Sequence, residues 1–183
     1  MTKVIIVSGG FVPVHIGHVR MFESAANMAD TRAQVNRGRV IVALNSDDWL
    51  ARKKGKIFMP FEERKEILLA MESVTEVISF DDEDETACDA IRKVYEKHAH
   101  LTNSQFLDDA IYFANGGDRI VGNVPTAESA LCAELGVKML WGLGGEKVQS
   151  SSTLTMNYNA PIESVPILID DGEEDESTAD SDN

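Results

Sequence analysis

The chain of 183 residues is long enough for one globular domain, and its content of 43% hydrophobic and 26% charged residues is ordinary for such a domain. Its apolar runs fall well short of the ~20 residues that cross a bilayer, and the first residues lack a signal-peptide pattern, so we expect a cytoplasmic protein without membrane association. The net charge is −14, and residues 170–183 account for −8 of it, which leaves −6 for residues 1–169, the body of the chain. Because this body is acidic and has no cluster of basic residues, nucleic-acid binding is disfavoured.

In chain order, short apolar runs alternate with stretches of helical periodicity. The predicted strands are Lys3–Ser8, Arg39–Asn45, Glu76–Phe80, Ala110–Ala114 and Val137–Trp141. The predicted helices are Gly17–Ala29, Phe61–Glu72, Thr86–His98, Thr126–Leu135 and a short one at Ser150–Met156. Residues 52–56 are predicted to form a basic loop. This alternation predicts an α/β fold, a Rossmann-like, doubly wound, five-stranded parallel sheet with helices on both faces.

The domain is predicted to span residues 1–160, with residues 161–183 as a C-terminal extension. Residues 170–183 hold eight acidic and no basic residues and lack large apolar side chains, so this tail is expected to be disordered. Cys88 and Cys132 share no metal-ligand spacing and are expected to be free thiols. His98 and His100 end a predicted helix and are expected to be exposed there.

The most informative segment follows the first predicted strand. It places Gly9 and Gly10 in a turn and then His15 and His18, three residues apart, at the start of a helix. Glycines allow close backbone approach to a phosphate, and a helix N-terminus offers free N–H groups and partial positive charge. Two histidines at this spacing can face one ligand, while Gly17 between them keeps the site open. The pattern predicts a nucleotide-phosphate site that is neither a Walker A loop nor a dinucleotide fingerprint.

Two further motifs follow later predicted strands. Residues 115–119 read Asn-Gly-Gly-Asp-Arg, in which Asp118 can accept from ribose hydroxyls and Arg119 can pair with phosphate. Residues 150–154 read Ser-Ser-Ser-Thr-Leu, and hydroxyl and N–H groups at a helix start can bind phosphates. Taken alone, the first of these is also an ordinary turn and the second an ordinary helix cap.

With these residues in hand, the chain resembles the HxGH nucleotidylyltransferases of the cytidylyltransferase-like superfamily. Within it, the chain is most similar to the heptose-phosphate adenylyltransferases and the glycerol-phosphate cytidylyltransferases. The residues that carry the resemblance are His15-Ile-Gly-His18, Val42-Ala-Leu-Asn-Ser-Asp47, Pro60-Phe-Glu-Glu-Arg64, Gly116-Gly-Asp118 and Ser150-Ser-Ser152.

The resemblance implies a reaction in which an NTP and a phosphorylated metabolite give a nucleoside-diphosphate product and pyrophosphate. The acceptor phosphate would attack the α-phosphorus, with Mg²⁺ on the triphosphate. The implied catalytic residues are His15, His18 and Lys54, and Asp47 and Arg64 would bind the acceptor. The motifs and the resemblance together predict these nucleotide-binding residues: Gly9, Gly10, Phe11, Gly17, Gly116, Asp118, Arg119, Ser150, Ser151 and Ser152. Enzymes of this kind also tend to form homodimers or higher homo-oligomers.

The chain departs from its relatives at three places. The pair Phe11-Val12 stands where Phe-Asp or Phe-Asn is usual, and Asn115 stands where a basic residue often precedes Gly-Gly-Asp. The cytidylyltransferase signature Arg-Thr-x-Gly-Ile-Ser-Thr is replaced by residues 146–152, Glu-Lys-Val-Gln-Ser-Ser-Ser. These departures leave CTP and ATP both open as the nucleotide.

Several alternatives share the histidine motif. One is an adenylyltransferase that acts on nicotinamide mononucleotide or phosphopantetheine, although residues 42–47 and 60–64 favour a sugar or polyol phosphate. Another is a nucleotide-binding module without turnover, against which both histidines argue. A fragment of a class I tRNA synthetase is disfavoured by the acidic body and by the missing Lys-Met-Ser-Lys-Ser loop.

Overall fold

The computed structural model describes residues 2–29, 38–102, 110–116, 125–145 and 148–158. The strands are β1 Lys3–Gly9, β2 Arg39–Leu44, β3 Glu76–Ser79, β4 Ala110–Gly116 and β5 Lys138–Leu143. The helices are α1 Ile16–Ala29, α2 Asp47–Lys54, α3 Phe61–Leu69, α4 Cys88–His98, α5 Thr126–Leu135 and α6 Ser151–Tyr158, and a 3₁₀ turn, Ala99–Leu101, follows α4. None of these described helices is long and apolar enough to cross a membrane.

The five strands form one sheet in the order β3-β2-β1-β4-β5, and all neighbouring strands are parallel. This confirms the predicted α/β sheet. The chain builds outward from β1 to β3 and then crosses to β4 on the other side of β1. The strand order therefore reverses between β1 and β4, which is where such sheets place a ligand cleft at their carboxyl ends.

Side chains of β1 alternate between two hydrophobic cores, one on each face of the sheet. Val4 and Ile6 belong to the core that α4 and α5 cover, whereas Ile5 and Val7 belong to the core that α1 and α3 cover. A parallel strand that is buried on both faces needs a continuous apolar run, and β1 has one. Both faces of the sheet are thus covered, and the carboxyl ends of the strands remain for a ligand.

Helix α2 corrects the prediction of a basic loop at residues 52–56. The Ser46 side chain caps the helix by accepting from the backbone N–H of Trp49 at 3.0 Å, and Asp47 lies in the first turn. The basic residues occupy the last turn, where their charge complements the helix dipole, and Gly55 ends the helix with a φ of 72°. Capping signals at both ends, rather than apolar periodicity, specify this short helix.

His98 corrects a second expectation, because it is buried rather than exposed. Burial lowers the pKa of this imidazole, and the neighbouring charge of Arg39 lowers it further. His100, two residues on, is exposed as predicted.

Cys88 and Cys132 are buried free thiols, and burial raises the pKa of Cys132 to about 12. The predicted domain boundary near residue 160 and the acidic tail lie outside the described residues.

Candidate active site

A cavity of about 400 Å³ lies at the carboxyl ends of β1 and β4, where the strand order reverses. Its lining includes all three residues that were predicted to be catalytic, His15, His18 and Lys54. It also includes eight of the predicted nucleotide-binding residues: Gly9, Gly10, Phe11, Gly17, Gly116, Ser150, Ser151 and Ser152. Asp118 and Arg119 lie outside the described residues. Residues from distant parts of the chain therefore meet around one cavity.

The two histidines are stacked, with ring centroids 3.7 Å apart and an angle of 19° between the ring planes. His15 Nδ1 accepts a hydrogen bond from the backbone N–H of Gly17 at 3.2 Å, and His18 Nδ1 accepts from the backbone N–H of His15 at 3.4 Å. A neutral imidazole whose Nδ1 accepts must carry its proton on Nε2. The backbone thus selects the tautomer in which each Nε2 is a donor.

The environment of His18 also sets its charge. Its pKa is lowered from 6.5 to about 4, mainly by burial and also by electrostatic interactions with His15 and Lys54. The ring of Phe11 packs edge-on against the His18 imidazole at a centroid distance of 5.0 Å. His18 is therefore neutral at pH 7.

Two glycines at the end of β1 make room for side chains of the protein itself. Gly9 is the last residue of β1, and Gly10 begins the first loop, residues 10–15, which leads into α1. A Cβ at Gly9 would lie 3.1 Å from the Phe11 ring, and one at Gly10 would lie 3.0 Å from Leu50. Phe11, a non-glycine residue, has a φ of 46°, a conformation that is uncommon outside glycine. Because the Phe11 ring is buried against His18 and Phe22, the same packing that leaves little room for a Cβ at position 9 also supports the His18 ring.

Lys54 and the serine segment, residues 150–152, also line the cavity. Lys54 Nζ donates to Ser152 Oγ at 3.3 Å, which joins the end of α2 to the start of α6. Ser151 Oγ donates to the backbone oxygen of Pro13 at 3.0 Å, which joins α6 to the first loop. Ser150 Oγ accepts from the backbone N–H of Thr153 and caps α6. These contacts hold the start of α6 at the cavity wall.

Comparison with known proteins assigns the family. The family model described as cytidylyltransferase-like matches residues 6–153. The chain belongs to the cytidylyltransferase-like family. The match runs from β1 into α6 and therefore includes every predicted catalytic residue. This confirms the resemblance that the sequence motifs indicated.

Two curated relatives are similar to this chain over about two thirds of its length. Both are named bifunctional protein HldE, one from Citrobacter koseri at 31% identity and one from an Enterobacter species at 32% identity, each over 125 residues and 66% of this chain. The chain spans about a quarter of the length of these relatives, 24% and 25% respectively. The crystal structure of a lipopolysaccharide core biosynthesis protein from Thermoplasma volcanium GSS1 shares the fold, with a TM-score of 0.51, 18% identity and coverage of 76% of this chain and 94% of that one.

In this cytidylyltransferase-like domain, Arg64 and Asp47 lie outside the cavity lining. The Arg64 side chain is 0% exposed, and its Nη1 donates to the backbone oxygens of Gly10 and Asn45, at 2.9 Å each. Its Nε donates to Met59 O at 3.0 Å, and its Nη2 forms a 2.7 Å ion pair with Asp47 Oδ1. Arg64 therefore connects the first loop to the end of β2 and acts as a positioning residue. Direct contact of Arg64 and Asp47 with the acceptor stays a prediction.

Asp82 is a site-organising residue that the sequence did not reveal. Its buried carboxylate accepts from Asn45 Nδ2 at 3.0 Å, from Ser46 N at 2.7 Å and from Ser46 Oγ at 2.7 Å. Arg52 donates to the Asp82 backbone oxygen at 2.8 Å and lies 3.6 Å from its carboxylate. Asp82 belongs to an acidic run at 81–85 whose other members are exposed, and nothing in the sequence distinguishes Asp82 from them. The contacts anchor α2, which brings Trp49 and Lys54 to the cavity.

The described residues do not build a protein site for Mg²⁺. Among them, no group of three or more His, Cys, Asp or Glu side chains could hold a metal ion. The described cavity lining contains no carboxylate. Mg²⁺ in such sites is commonly held by substrate phosphates and water with few protein ligands. The expectation of Mg²⁺ from the sequence stays a prediction.

Proposed function

We propose that this chain is a nucleotidylyltransferase that transfers the NMP group of CTP or ATP to a small phosphorylated metabolite and releases pyrophosphate. The acceptor is a sugar or polyol phosphate. The observation that carries the proposal is the stacked pair His15 and His18, whose Nδ1 atoms both accept from backbone N–H groups. Both Nε2 atoms are then donors at a cavity that Lys54 and the serine segment also line. This set of donors suits the oxygens of a triphosphate.

The reaction needs positioning and charge stabilisation rather than a covalent enzyme intermediate. An oxygen of the acceptor phosphate forms a bond to the α-phosphorus, and the bond from that phosphorus to the bridging oxygen of the β-phosphate breaks. The electron pair leaves on pyrophosphate, and no proton has to be removed from an ionised acceptor phosphate. Donors that meet the developing negative charge lower the barrier.

The described residues divide this work between neutral donors and one cation. Because the pKa of His18 is about 4, its Nε2 donates as a neutral imidazole and does not need to be protonated beforehand. Lys54 brings a positive charge to the side of the cavity where Ser152 lies. Serine hydroxyls and the α6 N-terminus suit the leaving pyrophosphate. We propose that Mg²⁺ enters as part of the substrate, bound to the triphosphate.

The choice of acceptor rests on sequence likeness. The motifs at 42–47 and 60–64 resemble those of sugar- and polyol-phosphate enzymes. The curated relatives are called bifunctional proteins, and this chain matches about a quarter of each, which is compatible with one of two activities. A cytoplasmic location, a homodimeric or larger assembly and the lack of nucleic-acid binding stay predictions.

A substrate screen tests the proposal. Purified full-length protein with Mg²⁺ is incubated with each of the four NTPs and a panel of phosphorylated sugars and polyols, and pyrophosphate release is measured. We expect turnover with CTP or ATP and at least one of these acceptors. The panel also includes nicotinamide mononucleotide and phosphopantetheine. Turnover with these acceptors alone would show that the acceptor is not a sugar or polyol phosphate. Nucleotide binding without turnover on any acceptor would instead indicate a binding module.

A further inference from the structure

A buried side-chain oxygen without a partner lies at the end of β4. Asn115 is 2% exposed, and it lines the same cavity as the histidines. Its Nδ2 donates to the backbone oxygen of Leu140 on β5 at 3.4 Å. Its Oδ1 is buried and has no hydrogen-bond partner.

Such an oxygen is unfavourable in the free protein. A buried acceptor that has left water without a replacement partner carries the full cost of its desolvation. Buried polar groups in native proteins are almost always paired, so each exception requires an explanation. Since the amide nitrogen already donates to Leu140, the oxygen is the part of the Asn115 side chain that is left for a ligand's donor.

The surroundings of Asn115 differ from those of the phosphate-binding residues. Gly116 follows Asn115 directly and pairs with Leu143 of β5, and both line the cavity together with Met21 and Gly144, which are also uncharged. A Cβ at Gly116 would lie 3.4 Å from Met21 Sδ, and one at Gly144 would lie 2.9 Å from Met21 Cα. Met21 therefore packs closely against both glycines, and this apolar, uncharged lining suits a nucleobase better than a phosphate. The charged and hydroxyl donors come from other elements: His15 and His18 from the start of α1, Lys54 from the end of α2, and the serines from the start of α6.

We propose that Asn115 Oδ1 accepts a hydrogen bond from the exocyclic amino group of the nucleobase, the 6-amino group of adenine or the 4-amino group of cytosine. The proposal rests on the proposed function in assuming that the cavity holds a nucleotide. A keto group at the same ring position would place one acceptor against another and leave Oδ1 unpaired. The residue therefore selects amino nucleotides against their keto counterparts, which is a role beyond that of phosphate binding.

Matched nucleotide pairs test this assignment without any acceptor substrate. The affinities of ATP and ITP, and of CTP and UTP, are measured by calorimetry with full-length protein and Mg²⁺. For one of the pairs we expect the amino nucleotide to bind about 10- to 100-fold more tightly than its keto partner. In Asn115→Ala this ratio should fall to near 1. Asn115→Leu, which removes both polar groups but keeps the volume, provides a second variant if the alanine variant folds poorly.

A neighbouring asparagine offers a matched control. Asn45 is also buried just beyond the carboxyl end of a strand, but it lies outside the cavity lining and its amide nitrogen donates to Asp82. In Asn45→Ala we expect the amino-to-keto ratio of the wild type, because a ratio cancels any general loss of affinity. If Asn115→Ala also retains the wild-type ratio of amino to keto affinity, the proposal is overturned. If Asn115→Ala instead abolishes a preference for ATP over 2′-deoxyATP, the partner is a ribose hydroxyl and the assignment to the base is wrong.

The binding test and the turnover test fail separately. An amino preference that depends on Asn115, without pyrophosphate release on any acceptor, would leave this inference standing and overturn the proposed function. Pyrophosphate release that is equally fast with ATP and ITP, and also equally fast with CTP and UTP, would do the reverse. No binding of any nucleotide would overturn both.

Discussion

Hydrogen bonds to one ring nitrogen of His15 and of His18 determine what each side chain can do with its other nitrogen. The backbone N–H groups of Gly17 and His15 occupy Nδ1 of His15 and His18 respectively. The His-x-Gly-His spacing produces this pattern because the chain turns into α1 at these residues. Burial of His18 then keeps the ring neutral. The donor that we assign to the phosphate is thus a consequence of local backbone geometry and burial.

The protonation of His18 is a direct prediction of this geometry. Its imidazole should titrate in the folded protein with a pKa of about 4, below the 6.5 of an unperturbed histidine, because burial and electrostatic interactions with His15 and Lys54 disfavour the protonated ring. Between these two values the unfolded chain binds a proton that the folded chain does not. Stability therefore falls as the pH drops through this window. NMR titration of the ring resonances of the native and the urea-unfolded protein measures both pKa values, and a native pKa near 6.5 would contradict the account.

Single residues also show where sequence reasoning reached its limit. His15, His18 and Lys54 could be predicted because a short motif or a basic cluster marks them, and all three line the cavity. Arg64 was assigned to the acceptor, yet its guanidinium is buried among backbone oxygens. Asn115 was noted only as a departure from relatives. Which of a side chain's hydrogen bonds are satisfied depends on residues far away in the sequence, so neither role could be predicted.

At the scale of elements, the strands were easier to predict than α2. Continuous apolar runs such as Val4–Val7 require burial on both faces, and β1 is found where its run predicts it. Helix α2 has few apolar residues, and only Leu50 is buried. Its formation depends on Ser46 and Gly55 at its ends and on Asp82 across the turn. The apolar pattern therefore missed an element that brings Lys54 to the cavity.

The anchoring of α2 can be tested at Asp82. Asp82→Ala leaves Asn45 Nδ2 and two donors of Ser46 without their acceptor, so we expect a loss of about 1–3 kcal/mol in the free energy of unfolding, measured in urea. We also expect a lower kcat, because the cavity end of α2 carries Lys54. Glu83→Ala, at an exposed neighbour, should change stability by no more than about 0.5 kcal/mol. Equal effects in both variants would show that Asp82 does not organise α2.

At the scale of the whole molecule, the strand order brings the motifs together. Motifs that are more than 130 residues apart in the chain meet because β1 is central and β4 and β5 follow on one side of it. Alternating strand and helix patterns were sufficient to predict this sheet. The first loop, the end of β4 and the start of α6 therefore line one cavity, and Ser151 donates a hydrogen bond directly to the first loop. The precise set of donors in that cavity depended on packing that no local pattern encodes.

The central claim is that His18 stabilises the transferring phosphoryl group, and its most direct test is pyrophosphate release by His18→Ala. With the best nucleotide and acceptor from the screen, we expect kcat to fall about 10²- to 10³-fold, the usual loss when one donor to a developing oxyanion is removed. His100→Ala, at an exposed histidine that does not line the cavity, should retain the wild-type rate. A folded His18→Ala protein that releases pyrophosphate as fast as the wild type would contradict the account.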